Sequence, residues 1–277
     1  MDTSIVPPPA MRLVVLAALV YGAIYFVISR LIYQPTRYPG GWWHTQSESG
    51  ARDVWLRTRD GLRLHAWFVE APVKVPGSRL VTLYLHGNGS NLAHSPGHLR
   101  EIAAAGSAVL ILDYRGYGKS AGRPTERGLY RDADAGYDRL IGMGYAPNRI
   151  VVHGESLGSA VAVDLARRRP CAGVILECPF TSFSAMAGAI VPWAGRLFAS
   201  GFNTRRKIAG VHVPLLVIHG DHDRTIPCAM GCAVFKAANE PKSFWMVAGA
   251  THIDIVEAAG PLYGERLRAF YEKILAA

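Results

Sequence analysis

Three residues stand in an order that fits nucleophilic acyl transfer: Ser156, Asp223 and His252. The run Ile150-Val151-Val152-His153-Gly154-Glu155-Ser156-Leu157-Gly158 sets G-x-S-x-G between an apolar stretch and a helical stretch, Ala160 to Arg168. A sharp strand-to-helix turn at this point needs small residues on both sides of the serine. It also lifts Oγ to a helix N-terminus, where free amides and the dipole favour developing negative charge. The motif alone is equally an ordinary glycine turn. Serine chemistry needs a base, and the base needs an orienting acid, each following a later strand.

Leu215-Leu216-Val217-Ile218-His219-Gly220-Asp221-His222-Asp223 supplies the acid. Asp223 is preferred to Asp221 because it lies further past the turn, leaving Asp221 or His222 to shape the loop. Of the ten histidines, only His252 follows both other candidates, after the run Trp245-Met246-Val247. The tetrahedral oxyanion needs two backbone donors. Leu157, after the nucleophile, is one. The loop His86-Gly87-Asn88-Gly89-Ser90-Asn91 offers the other, with Asn88 the expected donor and His86 a buried turn residue. His94 and His98 stand one helical turn apart but lack a carboxylate pattern beside them, and no metal is expected.

These residues require a scaffold that aligns strand ends. From residue 53 onward, short apolar runs alternate with glycine turns and helical stretches. Val54 to Arg57 and Leu62 to Val69 flank Asp60-Gly61, a tight-turn signal for an antiparallel hairpin. Buried-type strands follow at Leu80 to Leu85, Ala108 to Leu112, Ile150 to Val152, Val174 to Leu176, Leu215 to Ile218 and Phe244 to Val247. The pattern predicts an α/β fold with a mainly parallel sheet covered on both faces, whose ligands bind beyond the carboxyl ends of the strands.

Composition bounds the rest. Half of the 277 residues are hydrophobic and 18% are charged, which suits a large core and argues against disorder. The net charge of +9 favours anionic lipid surfaces, because the arginines are scattered without a nucleic-acid-binding motif. Four cysteines are too few for a disulfide scaffold, and reduced thiols are expected. Leu13 to Ile28 runs 16 residues without a charge between Arg12 and Arg30. This predicts an uncleaved membrane anchor over residues 1–34, spanning once, in preference to a signal peptide; its orientation stays open. Residues 35–52 read as a linker, with Trp42 and Trp43 suited to a membrane interface.

The chain resembles the α/β-hydrolase superfamily over residues 53–277. Besides the motifs above, the resemblance rests on Asp113-Tyr114-Arg115-Gly116-Tyr117-Gly118-Lys119-Ser120, Gly122-Arg123-Pro124-Thr125-Glu126 and Cys178-Pro179-Phe180-Thr181-Ser182. With the N-terminal segment it looks like the membrane-anchored subgroup that includes protein depalmitoylases, although it lacks their cysteine-rich N-terminus. The resemblance implies ester or thioester hydrolysis without a cofactor. It also implies a small helical cap over residues about 179–210. Phe183, Met186, Ile190, Val191, Trp193, Leu197 and Phe198 make that cap apolar, fit either to meet an acyl chain or to pack on the sheet. Phe180 and Trp193 are the expected substrate contacts. A peptidase on the same triad and a non-catalytic binding protein are the alternatives.

Overall fold

The computed structural model describes residues 8–71, 80–190 and 201–276. Eight strands form one sheet: β1 Arg52–Arg57, β2 Arg63–Val69, β3 Leu80–Leu85, β4 Ser107–Leu112, β5 Ile150–Glu155, β6 Gly173–Glu177, β7 Leu215–Gly220 and β8 Lys242–Val247. Their spatial order is β1-β2-β4-β3-β5-β6-β7-β8. β1 and β2 are antiparallel, with Arg57 opposite Arg63 across the Asp60-Gly61 turn, and β2 is also antiparallel to β4. All pairings from β4 through β8 are parallel. This is the α/β-hydrolase fold expected from the sequence.

Alternation along each strand sends side chains to two cores. Leu83, Leu85, Leu110, Leu112, Val152 and Val217 join one cluster. Tyr84, Val109, Ile111, Val151, Ile175 and Ile218 join the other. The described helices are α1 Pro9–Ile32, α2 Thr45–Glu48, α3 Pro96–Ala104, α4 Glu126–Gly142, α5 Leu157–Arg168, α6 Phe183–Ile190, α7 Thr204–Lys207, α8 Cys228–Ala237, α9 Ile255–Ala259 and α10 Pro261–Leu275. Residues of α4, α5 and α8 close the first core; residues of α3, α9 and α10 close the second. Each large aliphatic side chain buried this way contributes roughly 1.5–3 kcal/mol of transfer free energy. The parallel strands are therefore fixed from both sides, and their carboxyl ends become a rigid edge for the site.

The N-terminal region departs from expectation. Among the described residues, no helix is long and apolar enough to cross a membrane, and the expected single span does not follow from them. What α1 does present is apolar surface without cover: Leu13, Val14, Leu16, Leu19 and Tyr21 are all exposed. The expected linker is docked rather than free. Trp43 donates from Nε1 to the Gly40 carbonyl and packs edge-on against Trp67 of β2, while Trp42 stays exposed beside His94. All four cysteines are free thiols. Of the expected cap, α6 and residues 201–210 are described; Val191, Trp193, Leu197 and Phe198 lie outside the described residues.

Candidate active site

β5 ends in a forced turn. Ser156 has φ 51° and ψ −114°, a left-handed conformation that costs a β-carbon-bearing residue about 1–3 kcal/mol. The glycines around it have no room for a side chain: a Cβ on Gly154 would meet the Gly158 carbonyl at 2.2 Å, and one on Gly158 would meet the Leu85 carbonyl at 1.9 Å. Ser156 N–H donates to the Glu177 carbonyl of β6 at 2.8 Å, which pins the turn to the neighbouring strand. α5 begins at once with Leu157, whose amide has no carbonyl four residues back within the helix. Across the turn, Gly87 lies close enough that a Cβ would touch the Ser156 Cβ at 3.4 Å. The loop holding Asn88 thus borders the serine.

The loops after β7 and β8 bring in the other two residues. Asp223 Oδ1 accepts the Thr225 and Ile226 amides at 2.9 and 2.8 Å, which freezes the carboxylate. Its Oδ2 lies 2.7 Å from His252 Nδ1, and His252 Nε2 lies 3.0 Å from Ser156 Oγ. A carboxylate only accepts, so Nδ1 carries the proton and Nε2 offers its lone pair to the serine hydroxyl. Ser156, 96 residues before His252, and Asp223, 29 before it, meet in one chain of hydrogen bonds.

The electrostatics follow from this packing. Burial would raise the Asp223 carboxyl, but the bonds from His219, His252 and Ile226 outweigh it and hold it well below the usual carboxylate range. Burial disfavours the charged form of His252; the Asp223 bond and charge prevail and raise it above 6.5, its ordinary value. Asp221 has a different task. It accepts the Gly249 amide at 2.7 Å and lies 3.1 Å from His222, so it ties the β7 loop to the β8 loop.

Among the described residues, one cluster brings three metal-ligating atoms together: Cys178, Asp223 and His252, within 4.8 Å of one another. Two of these are already bonded to each other, and burial pushes the Cys178 thiol up and keeps it protonated. His94 and His98 do not converge. His94 Nδ1 lies 3.0 Å from Asn91 Oδ1, while His98 Nε2 lies 2.9 Å from Glu177 Oε1. Phe180 is 1% exposed and stacks on Phe183 at 5.3 Å, with Phe202 edge-on. His86 is fully buried, with Nδ1 2.8 Å from the Gly87 carbonyl, and burial lowers it toward the neutral form.

Several supporting groups escaped the sequence reading. His219, fully buried in β7, lies 2.9 Å from the Ile226 carbonyl and 3.3 Å from Asp223 Oδ2 through one nitrogen, Nε2, which therefore carries the proton. Behind the serine turn, Glu177 pairs with His98 and accepts from Tyr263 OH at 2.8 Å. Tyr84 OH donates to Glu155 Oε2 at 2.8 Å. The available signal was a polar residue inside an apolar strand: His153, Glu177 and His219 all interrupt buried runs, and such groups persist only when partnered or used.

The comparisons agree with this architecture. The family described as serine aminopeptidase, S33, matches residues 77–206. An uncharacterized protein of Mycobacterium tuberculosis is 37% identical, with 94% of each chain covered. Alpha/beta hydrolase domain-containing protein 17B of Homo sapiens is 33% identical over 84% of this chain and 80% of that one. Among solved structures, Pyrococcus furiosus esterase Pf2001 superposes with a TM-score of 0.70 at 22% identity, covering 87% of this chain and 98% of the esterase, a likeness of fold.

Proposed function

We propose, because the chain belongs to the α/β-hydrolase superfamily, that it cleaves carboxylic ester or thioester bonds of acyl, lipid-like substrates through an acyl-serine intermediate on Ser156. The observation that carries the reading is the continuous path Asp223–His252–Ser156, with spacings of 2.7 and 3.0 Å. His252 Nε2 takes the hydroxyl proton as Oγ attacks the carbonyl carbon. The ion formed at His252 is stabilised by the Asp223 carboxylate. The Leu157 and Asn88 amides hold the oxyanion, and removing one such donor costs about 10²–10³ in rate in a comparable enzyme. The imidazolium then protonates the leaving alcohol or thiol. Water, deprotonated by His252, attacks the acyl-serine, and the acid departs with Ser156 restored.

The preference for lipid-like acyl groups is supported by the N-terminus. The uncovered apolar side chains of α1, Leu13, Val14, Leu16 and Leu19 among them, suit contact with a lipid surface. Membrane lipids are then the surroundings that this reading gives α1. Trp193 and Phe180 are proposed to border the acyl-binding region. A peptidase on the same residues is the second reading, favoured by the aminopeptidase description of the matching family.

The test uses the full chain. A fluorophosphonate probe should label wild type and spare folded Ser156→Ala and His252→Ala. Acyl esters, acyl thioesters and aminoacyl amides of matched chain length should then be turned over with the oxygen and sulfur esters far ahead. Faster cleavage of the aminoacyl amides would replace this reading with the peptidase. A folded wild type that takes up no probe would defeat both.

A further inference from the structure

The chain that leaves α1 does not pass straight to the sheet. Residues 33–43 run across the loop that borders Ser156 and across the Tyr114–Ser120 loop, and several of their polar groups are bonded there. Gln34 N–H donates to Asn88 Oδ1 at 3.0 Å, and Tyr117 OH donates to the same oxygen at 2.7 Å. Thr36 Oγ1 donates to the Gly89 carbonyl at 2.9 Å. Asn91 Nδ2, in a fully buried residue, donates to the Thr36 and Gly40 carbonyls at 3.2 and 2.7 Å. Gly118 N–H donates to the Thr36 carbonyl at 2.9 Å, and Tyr38 N–H donates to the Gly118 carbonyl at 3.1 Å, a short parallel bridge to the Tyr114–Ser120 loop. At the entry to this segment the Tyr33 ring sits edge-on to Phe183 and Phe202, each at 6.4 Å.

The loop so held matters because Gly87 lies so near the nucleophile that an added Cβ would touch it, and Asn88 is the residue whose amide is to meet the oxyanion. An oxyanion donor works only if it is fixed before charge develops, since reorganisation during the reaction forfeits its advantage. The loop has bonds of its own at Ser90, whose Oγ donates to the Gly87 carbonyl at 3.1 Å, and at Leu92, whose N–H donates to Asp113 Oδ1 at 2.9 Å, but these leave the Asn88 side chain unfixed. Here the Asn88 side chain is clamped between a strap residue and Tyr117, and Gly89 is held one residue further on.

We propose that residues 33–41 are a positioning strap for the oxyanion loop: hydrogen bonds from Gln34 and Thr36 set the Asn88 amide for catalysis. This rests on the hydrolase reading above. The strap follows α1 directly, so the element proposed to meet lipid is joined covalently to the part of the site that stabilises the transition state. The strap acts through Asn88 and touches no reacting atom.

The experiment compares, in the full chain, two pairs of substitutions. Gln34→Pro deletes the N–H donor while Gln34→Ala keeps it; Thr36→Val deletes the hydroxyl while Thr36→Ser keeps it. For each, kcat and KM on a p-nitrophenyl acyl ester, the fluorophosphonate labelling rate and the melting temperature are measured. Gln34→Pro and Thr36→Val should lower kcat and the labelling rate by about 10-fold, a fraction of the loss expected for deleting a donor outright, with KM within about twofold of wild type. Gln34→Ala and Thr36→Ser should match wild type. Wild-type kcat in Thr36→Val and Gln34→Pro, or equal loss in the paired controls, overturns the strap. If only the proline variant misfolds, the Thr36 pair decides the matter. A wild type that takes up no probe defeats the underlying hydrolase reading and is distinguishable from strap failure, which leaves wild-type labelling intact.

Discussion

Two histidine–carboxylate pairs lie close to Ser156, and their surroundings differ. His252 and Asp223 are 2.7 Å apart; His98 and Glu177 are 2.9 Å apart. Their exposures hardly differ, with the two histidine side chains 13% and 16% accessible and both carboxylates sealed. Partnering a histidine with a buried carboxylate therefore does not by itself make a base. The difference lies in the rest of the surroundings. His252 turns its second nitrogen to the Ser156 hydroxyl. His98 packs its ring against Tyr84 and Tyr263, and its carboxylate also binds Tyr263 and lies 3.7 Å from His153. Burial opposes charge on His98, but Glu177 and the further carboxylates nearby prevail and carry it up to about 9. It is cationic at neutral pH, with no proton vacancy to offer a substrate. The same interaction thus suits the proposed proton relay at His252 and an ion pair at His98, according to what the far side of the imidazole meets.

The contrast can be broken most sharply at the histidines. Ser156→Ala and His252→Ala should lower ester turnover on the order of 10⁶-fold, the scale seen when a nucleophile or base is removed from a comparable triad. His98→Ala should leave fluorophosphonate labelling of Ser156 in place below its melting temperature. Loss of labelling in folded His98→Ala would erase the distinction drawn here.

The carboxylates come next. Asp223→Asn should cost about 10⁴ in kcat with little change in melting, because the imidazole loses the partner that fixes its tautomer. Glu177→Gln should do the reverse. Removing one member of a buried pair typically costs about 3–5 kcal/mol, measurable by urea unfolding, while the backbone carbonyl that holds Ser156 N–H survives and kcat stays near wild type.

Acidity separates the pairs again. His252 must be neutral to act, and its pKa is raised, so kcat/KM should climb with pH through a midpoint above 6.5 and fall off on the acid side. His98 is raised in the folded state. Its contribution to stability is fully present below its ordinary value of 6.5 and is lost as pH rises through about 9. Melting temperature followed from pH 6 to pH 10, buffer values chosen to bracket that window, should decline at the alkaline end; Glu177→Gln should flatten the decline. The smallest effect is expected at the rival acid. Asp221→Asn loses the charge that holds the Gly249 amide and should destabilise by about 0.5–1.5 kcal/mol in thermal unfolding, leaving kcat within a few-fold of wild type.

Much of this molecule could be read before it was folded. Strand limits came within about two residues for most strands, because near-continuous apolar runs ending in glycine are a local property of doubly covered parallel strands. The turn at Ser156 was equally legible, since only glycine fits where Gly154 and Gly158 approach neighbouring backbone. The N-terminal region read less well. Apolarity in residues 13–28 was plain, but nothing local announced that Gln34, Thr36 and Asn91 would bind one another's surroundings across more than 50 residues.

The α/β rhythm, the serine turn and the chain order Ser156, Asp223, His252 follow from local residues alone, because periodicity, glycine sterics and strand-end position are written in neighbouring positions. Which histidine meets which carboxylate, the bracing of Asp223 by His219, and the grip of the segment after α1 on the Asn88 loop emerge on folding. Those choices depend on strand order and register, which bring together groups 79 residues apart at His98 and Glu177 as readily as neighbours four apart at His219 and Asp223.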